Sequence, residues 1–359
     1  MTSPAQFGPA LLGRRLHAAL IDVESSKAHI RRAAAADLSR HLDSDSRVSI
    51  VERLERLTIE DPDVEVRVAA ILALADAGAN ESVGLMVKMA RSDIPRVRQI
   101  ALLALGELAE PGQAQAIDAA LDALDSELPA LRYQGLVTLK SLRNAEAIEA
   151  IVSKLADPDP EVRWVAVRLI EELILARSAS SANTTHLEPG ENAIIANLRP
   201  LMKDPIPRVA VAATLLLTRM GDAAAIDNLA PLLTRKTWKL DHEDELAVID
   251  LVGQLGLVRA KPDLERRAWP LLWEGSLAWS ARVALAQLGD ERARRAVLQN
   301  LHSNSPLKCA RAIEAVGRIG LEGARPRLHT LLANASEYDV EAIESALLRL
   351  GPAQKPGAR

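Results

Sequence analysis

The sequence predicts an all-α protein, an α-solenoid of about ten stacked helix–turn–helix repeats. Three observations predict this fold: a short motif that recurs along the chain, apolar columns in register with that motif, and glycines at the predicted helix ends. Self-similarity at a fixed period of this size is typical of arrays in which each repeat is one supersecondary unit.

The recurring motif is an aliphatic residue followed by arginine at the start of an alanine-rich helix. It occurs five times, at Ile30-Arg31, Val66-Arg67, Val97-Arg98, Leu131-Arg132 and Val162-Arg163. Continuing the register places Ala210, Glu245, Ala278, Cys309 and Val340 at the arginine position, called position 0 below. Successive steps are 31 to 36 residues, except for one step of 47 residues between Arg163 and Ala210. One insertion therefore interrupts ten repeats.

The apolar columns predict the buried side of the second helix of each repeat. Position +7 is aliphatic in all ten repeats, position +3 is small in eight, and position +10 is apolar in all but the first, which has His41. At about 100° per residue these three positions lie on one stripe of a helix. We expect this stripe to be buried, with the small residues at +3 setting the distance to the neighbouring helix.

Glycines and prolines mark the ends of the predicted helices. Six repeats have glycine at position +11, where a helix C-terminus favours a residue that adopts positive φ: Gly78, Gly221, Gly256, Gly289, Gly320 and Gly351. Asp-Pro begins the turn before the second helix at residues 61, 157 and 204, and we expect the aspartate to cap that helix. A single pair cannot bury its apolar face, so the pairs must stack.

The composition excludes several classes of protein. Aromatic residues make up 2% of the chain, so the core is built from aliphatic residues. A net charge of −4 argues against a protein that binds nucleic acids through electrostatic contacts to their phosphates. A lone cysteine, Cys309, excludes an internal disulfide, and neither a signal peptide nor a membrane span is evident. We expect a cytoplasmic protein that needs no cofactor.

Two segments carry a family resemblance: DPDPEVRWVA at 157–166 and VRQIALLALG at 97–106. They resemble HEAT repeats, closest to the short, alanine-rich bacterial kind that is also found in phycobilin-lyase subunits. The resemblance covers about residues 27–351. It implies that the second helices line a concave surface, and that each arginine at position 0 pairs with a turn aspartate to form a ladder along the array.

The predicted organisation has four parts. Residues 1–176 form an N-terminal array with the arginine column present, and residues 177–191, rich in serine and threonine, form an inserted flexible loop. Residues 192–351 form a C-terminal array without the arginine column, and residues 352–359 form a disordered tail. The chain has 21 basic and 27 acidic residues before Ser181, and 23 and 21 from there on, so the two halves differ in charge.

No catalytic or metal site is predicted. Deoxyhypusine hydroxylases, which are similar repeat proteins, bind iron through several His-Glu pairs, whereas this chain has one, His242-Glu243. We interpret that pair as a solvated acidic turn at a helix N-terminus. Cys309 has no histidine at helical spacing, and we interpret it as a free, partly buried thiol. Repeat-fold DNA glycosylases have a strongly basic concave face, which the acidity of this chain opposes.

A partner surface is predicted at positions +1, +5 and +9, on the side of the second helix opposite the buried stripe. Position +9 is polar in all ten repeats, and three of the eight aromatic residues occupy position +1. Exposed aromatic rings are typical interface anchors, although these rings could equally fill the groove between helices. The candidate binding residues are Tyr133, Trp164, Arg168, Glu172, Arg219, Trp279 and Arg318.

A second aromatic cluster lies outside these columns. Trp269 and Trp273 are four residues apart on a predicted first helix, and Trp238 lies near several basic residues. Two interpretations stay open: irregular packing around a proline-containing helix, or a basic-aromatic patch for an acidic peptide or a nucleotide.

The function predicted from these observations is that of a non-enzymatic scaffold or adaptor that binds a protein or an extended peptide along its concave face. Two alternatives belong to other classes. One is a modifying enzyme or subunit that resembles bilin lyases, and the other is a nucleic-acid binder that uses the C-terminal basic-aromatic surface.

Overall fold

The computed structural model describes residues 16–41, 46–92, 94–143, 147–180, 189–234, 240–270, 276–333 and 339–351. Within these ranges all regular secondary structure is helical, which confirms the predicted all-α fold. The chain forms two compact units, unit 1 (Met1–Asn197) and unit 2 (Leu198–Arg359).

Unit 1 holds five helix pairs, each made of a first and a second helix. It also holds a further first helix, which begins the next repeat. Its helices are α1 (Leu16–Asp22), α2 (Ala28–Leu38), α3 (Arg47–Glu60), α4 (Val64–Asp76), α5 (Val83–Ser92), α6 (Pro95–Leu108), α7 (Ala114–Leu124), α8 (Pro129–Ser141), α9 (Ile148–Ser153), α10 (Pro160–Ser180) and α11 (Pro189–Leu198). Consecutive second helices, α2, α4, α6, α8 and α10, pack side by side, whereas among the described first helices only α5 and α7 do so closely.

Unit 2 continues the alternation. A 3₁₀ segment, Arg199–Lys203, packs on α12 (Pro207–Arg219), and four helix pairs follow. Their helices are α13 (Ala223–Thr234), α14 (His242–Gln254), α15 (Lys261–Ala268), α16 (Ser276–Gln287), α17 (Glu291–Leu301), α18 (Pro306–Ile319), α19 (Arg325–Ala333) and α20 (Val340–Arg349). The twenty α-helices in the described part of the chain match the ten predicted repeats.

The predicted buried stripe is confirmed at two of its three columns. All ten residues at position +3 are buried, and so are all residues at position +7 except Leu347, which is half-buried. Position +10 is different, because most of its residues are half-buried and Leu255 is exposed. In most repeats position +10 falls on the last turn of the helix or beyond it, and its side chains are buried only in three repeats, at Leu108, Leu142 and Leu350.

The helix ends follow the glycine signal. All six glycines at position +11 have positive φ, from 59° at Gly78 to 86° at Gly289, as a left-handed helix end requires. The turn aspartates act differently from the prediction. Asp61 and Asp157 accept the N–H two residues ahead, and the helix cap is the following aspartate, Asp63 or Asp159. The first aspartate shapes the turn and leaves one carboxylate edge available to a neighbour.

That carboxylate edge is what the arginine of the preceding repeat binds. Arg31 donates two hydrogen bonds to Asp61, at 2.7 and 2.8 Å, and Arg132 donates two to Asp157, both at 2.7 Å. Each arginine also donates to a backbone carbonyl of its own turn, Ser25 or Ser126. The ladder implied by the family resemblance is therefore present at these two junctions.

Two other arginines of the column bind backbone carbonyls. Arg98 donates through Nε to the carbonyl of Ala90, and the next turn has Ser126 at the place of the aspartate. Arg163 donates through Nη1 to the carbonyls of Asp157 and Pro158 in its own turn.

The pairs Arg31–Asp61 and Arg132–Asp157 are the rungs of this ladder, and both are buried ion pairs. The side chains of Arg132 and Asp157 are 9% and 3% exposed. Burial by itself raises the pKa of the Asp157 carboxyl, but hydrogen bonds from Arg132 and from the Asp159 N–H outweigh burial, so the pKa lies below its ordinary value. The pKa of Asp61 is lowered in the same way, with Arg31 as the cation.

Glycines allow close approach both between the two helices of one repeat and between the second helices of consecutive repeats. A Cβ on Gly135, at position +3, would lie 2.8 Å from the carbonyl oxygen of Ala120 on α7, so this column sets the distance within a repeat, as predicted. A second column, at position +8, sets the distance between consecutive second helices. A Cβ on Gly253 would lie 2.8 Å from Cα of Ala284, and one on Gly317 would lie 2.9 Å from Cα of Ala346.

The inserted segment is more helical than predicted. Residues 177–180 continue α10 and residues 189–191 begin α11, although both stretches were assigned to the loop. Alanine and serine extend an existing helix at low cost, and proline is tolerated in a first turn. The division between the units follows Asn197, not the predicted boundaries at 176 and 192. Residues 181–188 and the tail 352–359 lie outside the described residues.

Candidate protein-interaction surfaces

The predicted charged residues of unit 1, Arg168 and Glu172, lie on the surface of α10. Glu172 accepts from Lys140 Nζ at 2.7 Å, which links α10 to α8, and both side chains are half exposed. Arg168 pairs at 2.7 Å with Glu171, whose carboxylate is nearly buried. Trp164, Arg168 and Glu172 are four residues apart in turn, so they share one face of α10.

The three aromatic residues at position +1 are partly exposed. Tyr133, Trp164 and Trp279 are all half-buried, so both interpretations, an interface anchor and a ring that fills the groove between helices, stay open. A ring in this setting still presents one face or edge to solvent, which keeps both interpretations of these residues physically sound.

In unit 2 the three predicted residues have different environments. Arg219 is exposed at the C-terminal end of α12. Arg318 on α18 pairs with Asp250 on α14, two repeats back, and lies 3.8 Å from Glu314. Trp279 on α16 packs partly against the aliphatic core of the unit. The three residues therefore lie on three different helices, α12, α16 and α18, each in its own environment.

Trp269 has a packing role. The guanidinium carbons of Arg282 and Arg292 lie 4.5 and 3.8 Å from the centre of its ring, and the ring packs against the core. Trp269 follows the end of α15, with φ −127° and ψ 62°, so its placement on a helix was wrong. The next residue is Pro270, which disfavours helical backbone at the residue before it. Trp238 and Trp273 lie outside the described residues.

The His242-Glu243 pair forms an acidic helix start. Asp241 caps α14 by accepting from the N–H of Asp244 at 2.8 Å, and three acidic residues occupy the first turn. His242 Nε2 lies 2.7 Å from the Ser276 hydroxyl oxygen. Among the described residues no group of three or more His, Cys, Asp or Glu side chains is arranged to hold a metal ion.

Cys309 is buried, with no accessible surface. Its sulfur lies 3.5 Å from the carbonyl oxygen of Leu301. Burial raises the pKa of the thiol above its ordinary value, against a smaller lowering effect of Arg327. A buried thiol with a raised pKa is a poor nucleophile.

We therefore expect DTNB to react with the native protein at least about a hundredfold more slowly than with free cysteine, because reaction requires local opening that costs a few kcal/mol. Absorbance would follow the release of the thiolate product. In denaturing guanidinium chloride one thiol per chain should react at the rate of free cysteine. Rapid reaction of the folded protein would contradict the burial of Cys309.

Sequence reasoning missed two features of these surfaces. The first is the column at position +8, where Gly253 and Gly317 allow the second helices to approach. The second is a set of residues at the N-terminal end of α18, Leu307, Lys308 and Arg311, which line a cavity beside Trp279. Leu307, Lys308 and Arg311 occupy positions −2, −1 and +2, which lie outside the predicted partner surface at positions +1, +5 and +9. The excess of basic residues around α18 is visible in the sequence.

A family model described as HEAT repeats matches residues 50–126, which extend from α3 to the end of α7. This match confirms the predicted resemblance to HEAT repeats in that part of the chain. The affinity to the phycobilin-lyase kind of repeat stays a prediction.

Among solved structures, the X-ray structure of YibA from Escherichia coli is similar over 91% of this chain and 97% of that chain, with 18% sequence identity and a TM-score of 0.41. No curated protein matches the chain significantly. In the part of the chain that the structure describes, no helix has both the length and the apolar character needed to cross a membrane.

Proposed function

We propose that the chain is a non-catalytic adaptor that binds a protein or an extended peptide along the outward side of its second helices. HEAT repeats form scaffolds that commonly mediate protein interactions. The contact residues of unit 1 are Tyr133, Trp164, Arg168 and Glu172, and those of unit 2 are Arg219, Trp279 and Arg318.

The observation that carries this proposal is the face of α10. The half-buried ring of Trp164 lies in line with two charged side chains, Arg168 and Glu172, which are 43% and 50% exposed. A partly buried aromatic anchor bordered by solvated charges is the usual composition of an interface centre and its rim. The ion pair between Glu172 and Lys140 is exposed, so it contributes little to stability and is free to exchange for a partner's charge.

Site-specific photo-cross-linking tests the proposal. A photo-reactive amino acid in place of Tyr133 or Glu172, in cells that make the protein, is expected to capture the same protein at both positions, identified by mass spectrometry. Adding Trp164→Ala should lower the yield by roughly 30-fold, since loss of an anchor costs about 2 kcal/mol, while the thermal unfolding midpoint stays nearly unchanged.

The matched controls are exposed positions on the first helices of the same repeats, Asp118 on α7 and Glu149 on α9. Equal capture at the control positions, or a large loss of thermal stability in Trp164→Ala with an unaltered yield, would show that this face is not the binding surface.

A further inference from the structure

We infer that the cavity between the N-terminal ends of α16 and α18 binds an acidic peptide segment. An apolar side chain of that segment would lie against Trp279 and Leu307, and its carboxylates would lie on Lys308 and Arg311. This inference rests on the proposed adaptor function and names the chemistry of the partner at one site in unit 2.

The cavity has a volume of about 230 Å³ and lies between consecutive second helices. Trp279 and Ala278 line it from α16, Leu307 from α18, and Asn300 from α17. Pockets for whole small molecules or cofactors usually measure about 300–1,000 Å³. The smaller volume suits one or two side chains of a peptide. Leu307 is 61% exposed, so the apolar rim of the cavity is not covered within unit 2.

The charged residues of the lining are all cationic in the described structure. They are Lys308, Arg311 and Arg282, and no described carboxylate lines the cavity. Arg282 is buried, donates to the carbonyl of Ala268 and faces Trp269, so its role is structural. Lys308 and Arg311 are exposed and make no ion pair among the described residues. These two side chains are therefore available to a carboxylate from outside.

The surrounding charge has the same sign. Residues 276–327 contain nine basic and four acidic residues, in a chain whose net charge is −4. On the other side of α18 a second cavity includes Glu314 and Asp339 beside Arg311. Among the described residues, the lining without carboxylates is thus confined to the α16–α18 side, which limits the position of an acidic ligand.

The helix ends add to this potential. Neither α16 nor α18 has an acidic residue in its first turn, whereas α14, α17 and α20 each do. The N-cap residue of α18, Ser305, makes no side-chain capping hydrogen bond. The positive ends of two helix dipoles therefore face the cavity with no acidic residue in either first turn among the described residues, and an external carboxylate would supply a counter-charge.

A peptide fits these features better than a nucleic acid does. Trp279 and the exposed Leu307 lie next to the cations Lys308 and Arg311 in one small cavity. A peptide in which apolar and acidic side chains alternate would contact both kinds of residue. A nucleic acid would need a longer track of cations along its phosphates, because its affinity comes mainly from several phosphate contacts. Arg294 and Arg318, which lie near this region in the sequence, are already paired with Glu291 and Asp250.

A selection from a random displayed peptide library against the full-length chain tests the inference. We expect enrichment of sequences in which an aromatic or aliphatic residue is flanked by aspartate or glutamate. A fluorescein-labelled peptide of the enriched sequence should then bind in a polarisation assay, with an affinity that falls as salt is added. The same peptide with its carboxylates changed to amides is expected to bind at least about tenfold more weakly.

Variants place the site. Lys308→Glu/Arg311→Glu should weaken the labelled peptide at least about tenfold, and Trp279→Ala about 30-fold. The matched control, Lys203→Glu/Arg295→Glu, makes the same change of charge at exposed positions of unit 2 outside the cavity and should change the affinity less than twofold to threefold. Thermal unfolding followed by circular dichroism would confirm that all variants fold, and Lys308→Gln/Arg311→Gln replaces the first pair if charge reversal prevents folding.

Each remaining outcome overturns the inference. Enrichment of basic or uncharged peptides, no enrichment, or affinity retained in the Lys308/Arg311 variants would exclude an acidic peptide at this cavity. Tighter binding of a labelled single-stranded DNA oligonucleotide, lost in the same variants, would assign the surface to nucleic acid. If cross-linking at Tyr133 and Glu172 still captures a protein, only this inference fails and the proposed function stands.

Discussion

Replacing Arg132 with methionine is expected to lower the free energy of unfolding of unit 1 by about 3–5 kcal/mol, the usual cost of removing one partner of a buried ion pair. Methionine preserves much of the side-chain volume, so the loss reports the missing guanidinium more than a cavity. In the variant, the Asp157 carboxylate would remain buried with the N–H of Asp159 as its described donor. Guanidinium-induced unfolding of the full chain, followed by circular dichroism, would measure the loss.

The matched control is an exposed ion pair between neighbouring repeats at the same distance. Arg91 and Asp122 lie 2.7 Å apart, with side chains 42% and 61% exposed. Arg91→Met should cost less than about 1 kcal/mol because water screens the pair and solvates the remaining aspartate. Equal losses for Arg132→Met and Arg91→Met would contradict a structural role for the buried rung.

The loss should also depend on pH. The pKa of Asp157 is lowered in the folded state, so the rung contributes fully above the ordinary carboxyl pKa of 3.8 and is lost as the pH falls through the lower folded value. The difference between the wild type and Arg132→Met should therefore be constant near neutral pH and shrink on acidification, because Asp157 takes up its proton at a higher pH in the variant, where burial is no longer offset by Arg132. A difference that stays constant down to the most acid pH at which the protein folds would show that the pair is not the cause.

Gly253→Ala is expected to destabilise unit 2 by about 1–3 kcal/mol, the usual cost of overpacking, although alanine is the better helix former. The added methyl group would meet Cα and Cβ of Ala284 on α16 at 2.8 and 2.9 Å, and also the side-chain oxygen of Gln287. The glutamine can rotate away, but the backbone of α16 has to shift. Urea-induced unfolding would measure the loss.

Gly84→Ala is the matched control. Gly84 lies on α5, and a Cβ there would meet nothing within 4 Å. This variant should be neutral or more stable by up to about 1 kcal/mol, as expected for glycine to alanine in an uncrowded helix. A gain in stability for Gly253→Ala as well would mean that α14 and α16 are not in close contact at this point.

The periodic part of the fold was predictable from the sequence because burial repeats with the helix. Ten repeats sample each column ten times, so the alanines at position +3 and the leucines at position +7 stand out above local variation. The exceptions are local. Trp269 lies beyond α15 because of the proline that follows it, and residues 177–180 extend α10 because a helix, once formed, continues through residues of moderate propensity.

The candidate site was less predictable because position on a helix does not determine exposure. Tyr133 and Trp164 occupy the predicted side, yet both are half-buried. The pairing of Arg318 with Asp250 skips a repeat, and no column spacing encodes such a contact. The exposed cations Lys308 and Arg311 lie near the start of α18. Residues within one helical turn face different neighbours, so the sequence alone does not show which of them line a cavity.

The arginine–aspartate pairs between repeats also determine which repeats can be duplicated in tandem while a pair is kept at each new junction. A rung needs an aspartate in one turn and an arginine at position 0 of the repeat before it. Repeats 2 and 5 carry both halves, as Asp61 with Arg67 and Asp157 with Arg163. A tandem duplication of either one would therefore bring its own donor and acceptor to each new junction. These two repeats are the natural monomers from which to lengthen the array by gene duplication or by design.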